Sequence, residues 1–249
     1  MRTAMAWALY PVLLFGSIGA AWWWMSAGWR PSAAVMVLIT AASIPLLLAQ
    51  QVIPARPDWR GKPKDFSIDL LHMAITGLAT EAWRMLTLGL LYEGAGAFSE
   101  RFGIGLWPTH WPVIAQFVMA VLLGEFLAYW MHRSFHRIPV LWRLHAVHHS
   151  SERMYVFAAA RNHPMNAVLM HSCHVLPLAA LGVPVEILAL SGVFTGVHGL
   201  LQHCNVDLRH GWFNLVFATA DLHRWHHSGE RAESDTNFGN NLILWDRLF

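Results

Sequence analysis

The run MAWALYPVLLFGSIGAAWWWMSAG, residues 5–28, carries no charged residue and decides the fold class. As an α-helix it rises about 36 Å, against a bilayer hydrocarbon core of about 30 Å, so it reads as a membrane-spanning helix. It is too long for the apolar region of a secretory leader, and WWW at 22–24 occupies the place of small cleavage-site residues. A retained span is therefore expected. A second run, residues 32–53, follows the Arg30-Pro31 break, and the two read as a helical hairpin. Whole-chain composition agrees: 249 residues, 55% hydrophobic, 13% charged and 14 Trp are too apolar for an ordinary soluble domain.

The same composition excludes other classes. A net charge of +2 with scattered basic residues gives no footprint for nucleic acid, so no nucleic-acid partner is expected. Two cysteines, Cys173 and Cys204, cannot build an iron–sulfur or zinc–thiolate set. Any metal must then be held by nitrogen or oxygen, and 16 histidines are present to do so.

Beyond the hairpin, PARPDWRGKPKD, residues 54–65, concentrates Arg56, Arg60, Lys62 and Lys64 and by the positive-inside rule faces the cytoplasm. A third crossing is expected over Ile68–Tyr92, where His72, Glu81 and Arg84 must face the bundle interior or the interface. Residues 93–110 form the opposite loop. A span from Trp111 to about Met131 then returns the chain and delivers His132 and His136 to the cytoplasmic side. Two shorter apolar stretches, Met165–Ala180 and Val185–Leu201, are broken by LGVP and read as a re-entrant hairpin. The expected architecture is all-α: an integral-membrane bundle of about four spanning helices plus this hairpin, with a histidine-rich helical cap on the cytoplasmic face. Residues 1–110 hold the N-terminal membrane helices and loops, and residues 111–249 hold the histidine motifs.

Those motifs are HRSFH (132–136), HAVHH (145–149) and HRWHH (223–227). On a helix, residues four apart lie on one face about 5–6 Å apart at Cβ, so His132 and His136 can share one ion. His145 shares a face with His148 and His149, and His223 with His226 and His227. Eight converging imidazoles exceed the three or four ligands of one ion, which makes a pair of metals the simplest accounting. In VHGLLQHCN, residues 197–205, His203 lies beside the polar exit and His198 deeper in the apolar run; either can add a ligand. Isolated His72, His110, His171, His174 and His210 read as hydrogen-bonded structural residues. His163, in RNHPMN, reads as part of a loop over the site, structural or substrate-positioning. Because a ligating imidazole donates its other N–H to a carboxylate or carbonyl, Asp221, Glu152 and Asp235 are candidate outer partners. Tyr155 and Trp225 are candidate channel residues or interface anchors.

With its three ordered clusters and the closing NFGNNLILWDRLF, the chain over about residues 111–249 resembles the fatty acid hydroxylase superfamily, also called the sterol desaturase superfamily. Those are integral-membrane, non-haem di-iron oxygenases. The resemblance implies His132, His136, His145, His148, His149, His223, His226 and His227 as ligands, with His203 and His198 from the additional ligand region. It implies two Fe ions, replaceable by Zn in a purified sample, with O2 as co-substrate and a lipid drawn from the bilayer. Two electrons come from an external donor of the cytochrome or ferredoxin/reductase type. It further implies hydroxylation of a fatty acyl, sterol-like or ether lipid, or on the same centre a desaturation or an alkylglycerol-type monooxygenation. A bacterial inner membrane is the expected location. The chain departs from the family pattern at Asn166, where relatives often carry an acid. It also closes at Phe249 with the WDRLF signature, so a C-terminal cover over the site is expected to be missing or supplied by other elements.

Two other classes compete. A zinc-dependent membrane hydrolase would leave most of the imidazoles unexplained. A metal transporter would place its ligands at mid-membrane on broken helices, whereas these clusters follow or flank the spans.

Overall fold

The computed structural model describes residues 1–59 and 63–249. The described residues form helices and connecting turns, with one isolated antiparallel bridge between Phe217 and Leu242. α1 (Arg2–Ser26) and α2 (Pro31–Val52) make the expected hairpin. They are followed by α3 (Pro63–Phe102), α4 (Val113–Arg137) and α5 (Pro139–His149). α6 (Pro164–Ala180), α7 (Val185–His203), α8 (Ala220–His226), α9 (Arg231–Ser234) and α10 (Leu244–Leu248) complete the chain. Prolines set several boundaries. Pro31, Pro139 and Pro164 stand in the first helical turn, where the missing N–H costs nothing.

Among the described residues, four helices are long and apolar enough to cross a membrane: α1, α2, α4 and α7. The count agrees with expectation, but the membership does not. The third span expected over Ile68–Tyr92 lies inside α3, a 40-residue helix whose Asp69, Glu81 and Arg84 lower its apolar character. α7, expected to be one arm of the re-entrant hairpin, is the fourth of these apolar helices; its 19 residues rise about 28 Å. Outward-facing Val12, Leu48, Leu78, Leu90 and Ile114 are exposed, an apolar surface suited to lipid and not to water.

All the long helices have one end in common. The Ala6 carbonyl accepts from Arg209 N–H at 2.9 Å, and the Ile53 carbonyl from Asp207 N–H at 2.9 Å, which ties the start of α1 and the end of α2 to the segment leaving α7. α3 starts at this end, α4 finishes there, α6 departs and α7 returns. Arg56, whose N–H donates to Asn205 Oδ1 at 2.8 Å, lies at this end too. Arg60 and Lys62 of the same basic loop lie outside the described residues.

Inside the bundle, α7 is central: Val193, Phe194, Val197 and Leu201 are buried against Tyr10 and Leu14 of α1 and Leu46 of α2. α4 meets α6 closely at Gly124, where a Cβ would stand 3.0 Å from the His174 carbonyl oxygen. That approach lets His174 Nε2 reach the Glu125 carboxylate at 2.8 Å.

A buried ion pair fixes α3 to the loop before α6. Asp69 is fully buried, binds the Arg161 guanidinium and also accepts from the Tyr155 hydroxyl. Asp69→Ala strands a buried guanidinium and a phenol, which is expected to cost about 3–5 kcal/mol. Thermal unfolding in detergent measures that loss.

Candidate metal centre

Nine imidazoles converge at the shared end of the bundle, and they sort into two groups. His132, His136, His145, His149 and His226 form one; His148, His203, His223 and His227 form the other, with the ligand atoms of each group within 4.8 Å of one another. The groups adjoin, since the His149 ring stacks on His227 at 4.4 Å between centroids. The two HxxHH motifs are not assigned one to each group. Residues four apart stay together, as in His132/His136, His145/His149 and His223/His227, while the middle histidines His148 and His226 cross to the opposite group. Helix geometry explains the split: i and i+4 differ by about 40° around the axis, whereas i and i+3 diverge by about 60° to the other side.

Hydrogen bonding fixes the tautomers. His132 Nδ1 lies 2.7 Å from the Phe238 carbonyl oxygen, and His148 Nδ1 lies 3.2 Å from that of Arg161. The Gly199 carbonyl oxygen stands 2.8 Å from His203 Nδ1, and that of Thr236 2.8 Å from His226 Nδ1. A carbonyl only accepts, so each Nδ1 carries the proton and each neutral ring presents a bare lone pair at Nε2. Those Nε2 atoms face one another: His132 and His145 at 2.9 Å, His148 and His203 at 3.2 Å, His203 and His223 at 3.1 Å. Nε2 of His136 and His226 is buried without a hydrogen-bond partner among the described residues.

Lone pairs pressed together at this distance repel unless a cation stands between them. Protonation does not supply it at neutral pH, because burial pushes His148 down to about 4 and holds His145, His223, His226 and His227 well below the ordinary imidazole value. Two all-imidazole donor sets side by side therefore fit two divalent transition-metal ions.

The remaining candidates are placed as follows. His198 joins neither group; its Nε2 meets the Tyr10 hydroxyl at 2.9 Å, deeper in the bundle. Among the candidate outer partners, Asp235 stands 3.4 Å from His136 Nδ1. Asp221 instead accepts from His210 Nδ1 at 2.8 Å, because it projects from α8 away from the ligand face. The Glu152 side chain is 84% exposed and pairs with Arg153 at 3.5 Å. His163 caps α6, its Nδ1 accepting from Met165 N–H at 3.1 Å. Tyr155 serves Asp69, and Trp225 is 57% exposed at the surface.

Sequence reasoning missed the carbonyls of Arg161, Gly199, Thr236 and Phe238, since a backbone acceptor leaves no mark in residue type. It also missed Trp142, whose ring lies 5.1 Å from His136 and 5.4 Å from His149. Asn166 did leave a signal, as the departure from the family pattern, and its Oδ1 accepts from His145 Nδ1 at 3.0 Å. A neutral amide oxygen thus does what a carboxylate would do. Asn166→Asp is expected to keep metal affinity, whereas Asn166→Ala should weaken it about 10- to 100-fold, as read by chelator competition.

Fold and site define a class: a membrane-embedded helical protein carrying, at one end of its bundle, two adjoining groups of imidazoles that could hold metal ions. The chain belongs to the fatty acid hydroxylase family, whose sequence model matches residues 117–249. It is 34% identical over 220 residues to the ornithine lipid hydroxylase OlsE of Rhizobium tropici, covering 86% of this chain and 65% of that protein. With human alkylglycerol monooxygenase it shares 29% identity over 219 residues, covering 80% of this chain and 49% of the relative. With lathosterol oxidase of Mus musculus the figures are 26% over 149 residues, 58% and 48%. The chain therefore spans less than two thirds of the length of each of these curated relatives. No solved structure matches it.

Proposed function

We propose that the chain is a membrane-bound, oxygen-dependent lipid hydroxylase with one iron ion in each histidine group, supplied with electrons by a separate donor. The observation that supports this most is the pair of adjoining donor sets, nine imidazoles whose ligand atoms lie within 4.8 Å of one another in each group. When bound, the irons supply the activation of dioxygen that inserts one oxygen atom into a C–H bond, the second leaving as water after uptake of two electrons and two protons.

The chain's own residues do the rest. Carbonyls of Arg161, Gly199, Thr236 and Phe238 hold the Nδ1 protons of His148, His203, His226 and His132, so those four lone pairs stay turned toward the ions. Burial of His132, His145, His223 and His226 keeps bulk water from the centre. Its position at the ends of four apolar spans allows a lipid chain to approach without leaving the bilayer.

For the substrate class we infer an amphiphilic lipid with a polar head, because the likeness that covers most of this chain is to an ornithine lipid hydroxylase. The active end faces the cytoplasm by the positive-inside rule: Arg56, Lys64, Arg137 and Arg143 gather there, against Arg30 and Arg101 at the far ends. The test is a comparison of extracted lipids from cells with and without the chain. The expected result is a lipid class heavier by one oxygen atom. A product with one more double bond, or a cleaved ether, would replace hydroxylation by desaturation or ether cleavage.

A further inference from the structure

The closing NFGNNLILWDRLF is the part of the sequence that the ligand assignment leaves unexplained. Residues 235–238 supply the outer partners of three of the five histidines in one group. Asp235 faces His136 Nδ1 at 3.4 Å, the Thr236 carbonyl accepts from His226 Nδ1 at 2.8 Å, and the Phe238 carbonyl from His132 Nδ1 at 2.7 Å. Asn237 between them adopts φ 54, a left-handed conformation that asparagine tolerates, and its side-chain amide donates to the Leu222 carbonyl at 3.2 Å. The turn at Asn237 lets neighbouring carbonyls reach histidines on different helices.

Two carboxylates hold this segment from outside the site. Asp246 accepts from Phe238 N–H at 2.6 Å and from Gly239 N–H at 2.7 Å. Glu125, in α4 and 1% exposed, accepts from Asn241 N–H at 2.7 Å, Leu242 N–H at 3.2 Å and His174 Nε2 at 2.8 Å. The bend leaves no room at residue 239: a Cβ there would stand 2.2 Å from the Leu242 carbonyl oxygen and 2.8 Å from Asp246 Oδ2. In the other group, His148 and His203 take their outer partners from Arg161 and Gly199, outside this segment, and no residue from 235 to 246 meets a ring nitrogen of that group among the described residues, although Asn241 and Ile243 do pair with the backbone of Ala218 and Val216 ahead of α8.

We propose that residues 235–246 form a strap that positions the five-histidine group alone, with Asp246 and Glu125 as its anchoring residues. The inference rests on the two-ion reading above. It makes Asp246 and Glu125 positioning residues that act through backbone N–H groups, and it assigns the terminal signature to one ion and not to the centre as a whole.

Zinc binding to the purified full chain in detergent tests this without reference to turnover. The unaltered chain is expected to hold two ions. In Asp246→Asn, an amide N–H turned toward a backbone N–H loosens the strap, and one ion is expected to weaken about 10- to 100-fold while the other keeps its affinity. Gly239→Ala, which leaves both carboxylates in place, should give the same selective loss. The affected ion is located by a second change: adding His227→Ala to Asp246→Asn should remove the remaining ion, whereas adding His226→Ala should change little. Two ions at unchanged affinity in both single variants, or loss of both ions together, would overturn the strap. Fewer than two ions in the unaltered chain would instead count against the two-ion reading itself.

Discussion

His226→Ala and His148→Ala, each made alone, are expected to abolish oxygen-dependent lipid turnover while the chain stays in the membrane. Each removes a proposed ligand from a different group. His226 packs 4.6 Å, ring to ring, from both His132 and His136, and His148 Nε2 touches His203 at 3.2 Å and His227 at 3.1 Å. Loss of a mere outer partner costs about 10- to 100-fold in a metal site, so loss of a ligand should cost at least about 100-fold in activity. Neither residue lies in α1, α2, α4 or α7, so insertion is expected to be untouched. His110→Ala, in an exposed loop away from both groups, should retain turnover. Lipid extraction with mass spectrometry and membrane fractionation reads both properties; full activity in both variants would remove the ligand assignment.

Stripping the metals should cost stability as well as activity. Without cations the folded state holds Nε2 lone pairs 2.9–3.2 Å apart in dry surroundings, and unfolding relieves that repulsion. An ion that binds only the folded chain at a thousand times its Kd adds about 4.1 kcal/mol. For a domain of this size each kcal/mol moves the midpoint by roughly 2–4 °C. A strong chelator is therefore expected to lower the Tm by about 10 °C or more, restored by added Fe2+ or Zn2+. An unchanged midpoint would mean that the pockets do not need ions.

Much of this was legible in the sequence because helical spacing and apolar length are local properties. The i,i+4 pairs and the first two spans needed no tertiary knowledge. What escaped depends on how helices meet. His198 stands five residues before His203, which turns it about 140° around α7 and toward Tyr10 instead of the pockets. Asp221 lies close to His223 in sequence yet serves His210, for the same rotational reason. α3 answers its charges by tertiary and local pairing, Asp69 with Arg161 of the loop before α6 and Glu81 with Arg84 one turn on, which a hydropathy reading alone does not register. Sequence left open how three motifs share two groups; the structure interleaves them, and only the crossing of α4, α5, α7 and α8 decides which imidazole goes where.

The central claim is that these imidazoles hold two irons for oxygen chemistry on lipid. The most direct measurement combines metal content with oxygen consumption in the purified chain, given a reductant and a bilayer lipid. Two iron ions per chain, with one oxygen molecule consumed for each hydroxylated lipid and no product in its absence, is the predicted result. One zinc per chain with lipid turnover that proceeds without oxygen would contradict it.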